Sequence, residues 1–310
     1  MNTLPQALDD YLALRRATGF KLTEHERVLR KFIAFMYTQG AGCITTELAL
    51  DWAQQPMHTS QAHRAQRLGM VRGFARYLSA TDPRTEIPPQ GLLPAQPQRS
   101  QPYIYSDEQV IGLIQEASRL QSPEGLRAHT YSTLFGLLAV TGMRVGEIVA
   151  LDRTDVDLQQ GVLTVTKGKF NKTRLIPVHE STLRKLRTYT RRRDTLLPVQ
   201  STSGFFVSDR GIRLNTFIVR YTFIRASRLI GWRKATDSHG PRLHDLRHTF
   251  AVRTLINWYR SGINPEQRLP LLSAYLGHAK VSDTYWYLSA VPELLGAVNT
   301  RLETFLGGLS

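Results

Sequence analysis

Apolar positions in the first eighty residues recur at helical spacing. Leu4, Leu8, Tyr11, Leu12 and Leu14 fall near one face of a first helix, which Gly19 ends. Val28, Leu29, Phe32, Ile33, Phe35 and Met36 mark a second, closed by Gly40 and Gly42. Thr46 opens a short third helix carrying Leu48, Leu50 and Trp52, stopped near Pro56. Thr59 or Ser60 caps a fourth, with Leu68, Val71, Phe74, Ala75 and Leu78 facing inward. Its other face carries Arg64, Arg67, Arg72 and Arg76.

The periodicity then breaks. Pro83, Pro88, Pro89, Pro94, Pro97 and Pro102 crowd into one stretch. Proline fixes φ and removes a backbone donor, so the pattern predicts a semi-extended linker. The expected organisation is a helical domain over 1–82, a Pro-rich linker over 83–102 and a second domain over 103–310.

The second domain mixes two periods. Ser106 caps a helix through Leu120, and an apolar helix from Ala128 to Val140 ends at Thr141-Gly142. Glu147 to Leu151 reads as a short helix. Val162, Thr164 and Thr166, then Arg174 to Val178, read as two strands of a β-hairpin with a lysine-rich tip, Lys167-Gly-Lys-Phe-Asn-Lys172. Helices follow at about 181–193, 214–229, 244–260, 265–277, 281–288 and 292–306. The expected fold class is mainly α with a small β-sheet (α+β).

Composition narrows the function. The formal charge of +15 points to a polyanion, above all nucleic acid. Residues 1–100 hold 12 Lys/Arg against 8 Asp/Glu, and residues 101–310 hold 28 against 17, so both parts are basic. The four arginines of the fourth helix suit phosphate contacts along a duplex. No apolar run reaches the ~18 residues of a membrane span, and the N-terminus lacks the pattern of a secretory signal. A single cysteine, Cys43, excludes an internal disulfide and a cysteine-based zinc site. A cytoplasmic, nucleoid-associated protein is expected. No phosphate-cradling glycine loop occurs, so nucleotide binding is not indicated.

Three stretches carry the candidate chemistry: Thr141-Gly-Met-Arg144-Val-Gly-Glu147, His244-Asp-Leu-Arg247-His248, and Leu276-Gly-His278 followed nine residues later by Tyr287. They resemble the arginine, histidine and tyrosine boxes of the tyrosine recombinase, or phage integrase, family. Lys169 to Pro177 resembles the lysine hairpin of that family, and the N-terminal part resembles its helical core-binding domain. The resemblance implies strand exchange on duplex DNA through a 3′-phosphotyrosine and a Holliday junction. It also implies a homo- or hetero-tetramer on two DNA sites, with neither metal nor nucleotide as cofactor.

Elementary chemistry agrees. Attack on a phosphodiester loads negative charge onto two non-bridging oxygens. Arg144 and Arg247 can clamp these, because a guanidinium is a permanently charged planar fork. Tyr287 can form a phosphodiester that conserves the energy of the broken bond. Tyr285 is the rival; two positions apart on a helix point about 200° apart, so only one faces the phosphate. The spacing favours Tyr287 and leaves Tyr285 as a packing residue.

His244 and His278 are placed to bond phosphate oxygens, and one of them can take the phenolic proton. His248 is expected to buttress the site from behind, and Glu147 to orient an arginine or His244. Lys169 would protonate the leaving 5′ oxygen, with Lys167 as the alternative, and Lys172 would join them at the DNA. An apolar stripe from Leu294 to Phe305 either closes its own domain or docks on a neighbour; the resemblance implies the second.

Overall fold

The computed structural model describes all residues except 1–2, 21, 56–58, 95–100, 167–172, 200, 238 and 290–310. It divides into two compact units, Met1–Ser100 and Gln101–Ser310.

Four helices build the first unit: α1 (Leu4–Ala17), α2 (Thr23–Thr38), α3 (Thr46–Gln54) and α4 (Gln61–Leu78). Thr45 caps α3, its Oγ1 accepting from the Leu48 amide at 3.2 Å, and Ser60 caps α4 through the His63 amide at 3.3 Å. Leu8, Leu12, Leu29, Phe32, Met36, Val71 and Phe74 form the core. Leu14, expected on the inner face, is exposed. It lies two positions past Leu12, and that offset carries it to the far side of the helix.

The proline-rich stretch is not a free linker from its first proline onward. Thr85 is buried and Leu93 packs on the first core. Glu86 takes the Thr46 amide on its carboxylate at 2.7 Å and donates its own amide to the Ile44 carbonyl at 2.8 Å. The carbonyls of Pro88 and Pro89 accept from Arg72, each at 2.7 Å. Proline lacks a donor, yet its carbonyl remains a full acceptor, and an arginine fork supplies what it needs. Residues 83–93 thus belong with the first unit.

The second unit holds α5 (Asp107–Ser118), α6 (Leu126–Thr141), α7 (Val145–Ala150), β1 (Val156–Asp157), β2 (Val162–Val165), β3 (Arg174–Pro177), α8 (Glu180–Leu196), α9 (Thr216–Leu229), α10 (Asp245–Arg260), α11 (Pro265–Leu276) and α12 (Ser282–Ser289). The sheet is antiparallel in the order β1-β2-β3. Its register lines up Val156, Leu163 and Ile176, all buried, so one face lies on the core. The two-residue β1 was not expected, since so short a run carries no period. The hairpin tip and the helix expected over 292–306 lie outside the described residues.

This unit has two apolar clusters. The larger centres on Leu134, Phe135 and Leu138 of α6; the smaller joins α10, α11 and α12 through Leu255, Leu269, Leu272, Leu276 and Tyr287. Tyr275 packs against both and stacks on Phe250 at 5.5 Å. Among the described residues, no helix is long and apolar enough to cross a membrane.

Candidate active site

The candidate residues gather where these clusters meet. Helix α6 ends at Gly142, in the left-handed region at φ 60°. A Cβ there would lie 2.6 Å from the Phe250 ring, so both backbone and space require glycine. Arg144 follows as the cap of α7. Its amide donates to Glu147 Oε2 at 2.9 Å and its guanidinium Nη1 to Glu147 Oε1 at 2.8 Å. Arg174, at the start of β3, binds the same carboxylate, Nη2 to Oε2 at 2.7 Å and Nη1 to Oε1 at 3.2 Å. Burial alone would push the Glu147 carboxyl up. The bonds from Arg174 and from the Arg144 amide outweigh it, and the group stays below the usual carboxylate range.

The C-terminus of α11 anchors the other side. A helix end leaves carbonyls without intrahelical partners. Here Ser273 and Ala274 are satisfied by the amides of His278 and Gly277. The next three carbonyls each receive an arginine: Tyr275 from Arg174 Nε at 2.8 Å, Leu276 from Arg247 Nη2 at 2.6 Å, and Gly277 from Arg144 Nη2 at 2.9 Å. The negative end of the helix dipole favours these cations. Gly277 is left-handed at φ 67°, and a Cβ there would lie 2.9 Å from Arg174 Nη1.

Helix α10 supplies the third side. Asp245, buried in its first turn, accepts the Arg242 amide at 2.7 Å and its guanidinium at 2.9 Å, fixing the helix start. Arg247 is only 2% exposed and also donates from Nη1 to the Gly142 carbonyl at 2.8 Å. Burial, with the nearby Arg144 charge, pushes its pKa down to about 10, so it remains a cation at neutral pH. His244 precedes α10. Shielding of its ring by surrounding atoms, helped by the Arg247 charge, pushes its pKa down to about 4. The side chain is open to solvent on one side, and water there softens this shift, but the ring is neutral at pH 7.

Tyr287 on α12 completes the cluster. Its hydroxyl lies 3.0 Å from His248 Nδ1, and its ring stacks on His278 with centroids 6.3 Å apart. His278 Nδ1 meets Thr284 Oγ1 at 2.7 Å. The His244 and His248 rings meet edge-on at 4.8 Å. The Arg247 charge is felt by both Tyr287 and Arg144.

Arg144, Glu147, His244, Arg247, His248, His278 and Tyr287 are therefore brought together. Two local expectations are corrected. Tyr285 is 49% exposed, whereas Tyr287 is the packed residue at 2%. His248 does not stand behind the site; it touches the Tyr287 hydroxyl. Arg174, read in the sequence only as the start of a strand, shares Glu147 with Arg144. Lys167, Lys169 and Lys172 lie outside the described residues.

On α4, Arg76 is exposed and Arg64 partly so. The other two are engaged within their own unit. Arg67 donates to the Trp52 carbonyl at 2.8 Å with its guanidinium 3.7 Å over the Trp52 ring, and Arg72 holds the proline carbonyls described above. Among the described residues no group of His, Cys, Asp and Glu is arranged to hold a metal ion.

The phage integrase family model matches residues 105–293. The putative integrase/recombinase y4rB of Sinorhizobium fredii is 49% identical over 307 residues, covering 98% of each chain. The tyrosine recombinase XerD of Vibrio vulnificus is 31% identical over 243 residues, 78% of this chain and 74% of that one. Among solved structures, the integrase of transposon Tn1549 in complex with a circular intermediate DNA matches with a TM-score of 0.68 at 15% identity, over 97% of this chain and all of that one. The XerA recombinase matches at 0.51 and 23% identity, over 96% and 98%; both likenesses bear on the fold alone. By sequence and by fold, the chain belongs to the phage integrase family of tyrosine recombinases, whose members are DNA strand-transfer enzymes.

Proposed function

We propose that the chain is a site-specific recombinase that cuts and rejoins duplex DNA with Tyr287 as nucleophile. Attack by Tyr287 Oη on phosphorus forms a 3′-phosphotyrosine and frees a 5′ oxygen. Arg144 and Arg247 hold the two non-bridging oxygens, where preorganised donors are worth roughly 3–4 kcal/mol each. Neutral His244 donates a further hydrogen bond, and His278 stands on the Tyr287 ring beside it. Lys169 gives the leaving oxygen its proton. A partner strand's 5′ hydroxyl then attacks the phosphotyrosine, and exchange passes through a Holliday junction within four protomers on two sites.

One observation carries this reading. Three guanidiniums converge on one helix end, and the charge of one of them reaches the Tyr287 hydroxyl. Three guanidiniums against one Glu147 carboxylate leave a net positive charge that a phosphate would balance. In the first unit, Arg64 and Arg76 contact the DNA backbone, while Arg67 and Arg72 stiffen the frame that presents them. Integration, excision or resolution of a mobile element is the biological role, supported by the putative integrase/recombinase relative from Sinorhizobium fredii.

A duplex nicked just beyond the cleavage site tests the reading, because release of the short fragment traps the intermediate. Wild type is expected to accumulate a covalent adduct that Tyr287→Phe does not form. Binding without an adduct in wild type would mean a protein that grips DNA and does not cut it. Relaxation of supercoils without exchanged products would mean a topoisomerase.

A further inference from the structure

We propose that His248 is a catalytic base of this site, accepting the phenolic proton of Tyr287 during attack. The inference rests on the reading of Tyr287 as nucleophile. His248 Nδ1 lies 3.0 Å from Tyr287 Oη, within proton-transfer reach. The other two histidines meet this pair differently. His278 lies face to face with the Tyr287 ring and turns its Nδ1 to Thr284; His244 reaches the pair edge-on through His248.

The electrostatics suit a base. To accept from the hydroxyl, Nδ1 must be bare, which puts the proton of the neutral ring on Nε2. The titratable and charged groups around this contact include His244 and Arg247 from α10, Tyr287 from α12, His278 across the tyrosine ring, and Arg144, Glu147 and Arg174 through their coupling to Arg247. The Arg247 charge, which is coupled to Tyr287, stabilises the phenolate that attack requires.

The step balances. The O–H bond of Tyr287 breaks and its proton moves to Nδ1 as the tyrosine O–P bond forms. The P–O5′ bond breaks, its electron pair stays on O5′, and Lys169 protonates it. On rejoining, the incoming 5′ hydroxyl attacks phosphorus and gives its proton to the Lys169 amine, while the imidazolium returns its proton to the departing phenolate.

The test is single-turnover adduct formation by the full chain on the nicked duplex, with DNA binding and thermal melting measured in parallel. His248→Ala is expected to slow adduct formation about 10²–10⁴-fold with binding unchanged. Added imidazole should restore part of the loss. The wild-type rate should fall on the acid side as the base takes up a proton, and that limb should vanish in the variant. His248→Gln retains a polar side chain but no base, so it should be as slow as His248→Ala; it also serves if the alanine variant fails to fold. Either variant cutting at the wild-type rate, with the wild-type pH profile, overturns the proposal. An adduct persisting in Tyr287→Phe would instead overturn the nucleophile assignment, a separate failure.

Discussion

The arginines of the two units are held in opposite ways. On α4 of the first unit four arginines are spread along the helix, one lying on a tryptophan face, one gripping loop carbonyls, and Arg76 standing in solvent. In the second unit, Arg144, Arg174 and Arg247 crowd onto consecutive carbonyls at one helix end, with Glu147 between two of them. Spread and partly exposed cations suit a long run of phosphates, whose contribution is additive and screened by salt. Crowded, buried cations suit one anion at one position, because repulsion and desolvation are already set against fixed acceptors. The same residue type thus does two jobs, and its acceptors decide which.

Removing an arginine from the crowded set is the strongest way to break this contrast. Arg247→Ala is expected to lower the adduct rate about 10²–10³-fold. It should also cost about 1–3 kcal/mol of stability, since the Gly142 and Leu276 carbonyls lose their donor. Arg247→Lys should recover little, because an ammonium lacks the planar fork that spans two acceptors. Rate and denaturant melts on the same preparations check this; a stable, fully active Arg247→Ala would contradict it.

Glu147 is next. Glu147→Gln should loosen Arg144 and Arg174 together, lowering stability and slowing cleavage. Its pH dependence has a definite sign. The folded carboxyl is held below the ordinary value of 4.5, so its contribution is complete above that pH and is lost as pH falls through the folded pKa. The glutamine variant should lack that acid-side loss. His244 adds to the same direction at higher pH. Its folded pKa lies near 4 against an ordinary 6.5, so stability should decline as pH falls between those values, and His244→Asn should flatten that part of the curve.

Gly277→Ala tests the helix end without removing a charge. A left-handed backbone costs a side chain about 1–2 kcal/mol, and the added carbon meets Arg174 at 2.9 Å. A partial loss of adduct rate should accompany that cost.

The smallest effect belongs to the open arginine of the first unit. Arg76→Ala should leave melting within about 0.5 kcal/mol of wild type and reduce the salt slope of DNA binding by about 1. Arg67→Ala should do the reverse, lowering the stability of its unit through the lost stacking on Trp52.

Much of this was legible in the chain. The helices of both units and the hairpin follow from apolar period, and the boxes around Arg144, Arg247 and Tyr287 from residue type and order. What escaped depends on the third dimension. Arg174 looks like a strand residue until β3 brings it to Glu147. The carbonyls of Tyr275, Leu276 and Gly277 carry no side-chain signal at all. His248 looks like a second-rank neighbour of Arg247, because adjacent helical residues point about 100° apart and only packing says what each meets. The role of the proline carbonyls in holding Arg72 escaped for a related reason: proline composition speaks of missing donors, and says nothing of acceptors.

Peptide mapping of the DNA adduct trapped on the nicked duplex tests the central claim most directly. The account predicts the residual nucleotide on the Tyr287 hydroxyl. Finding it on Tyr285, whose exposed ring is the competing attacker, would contradict the account.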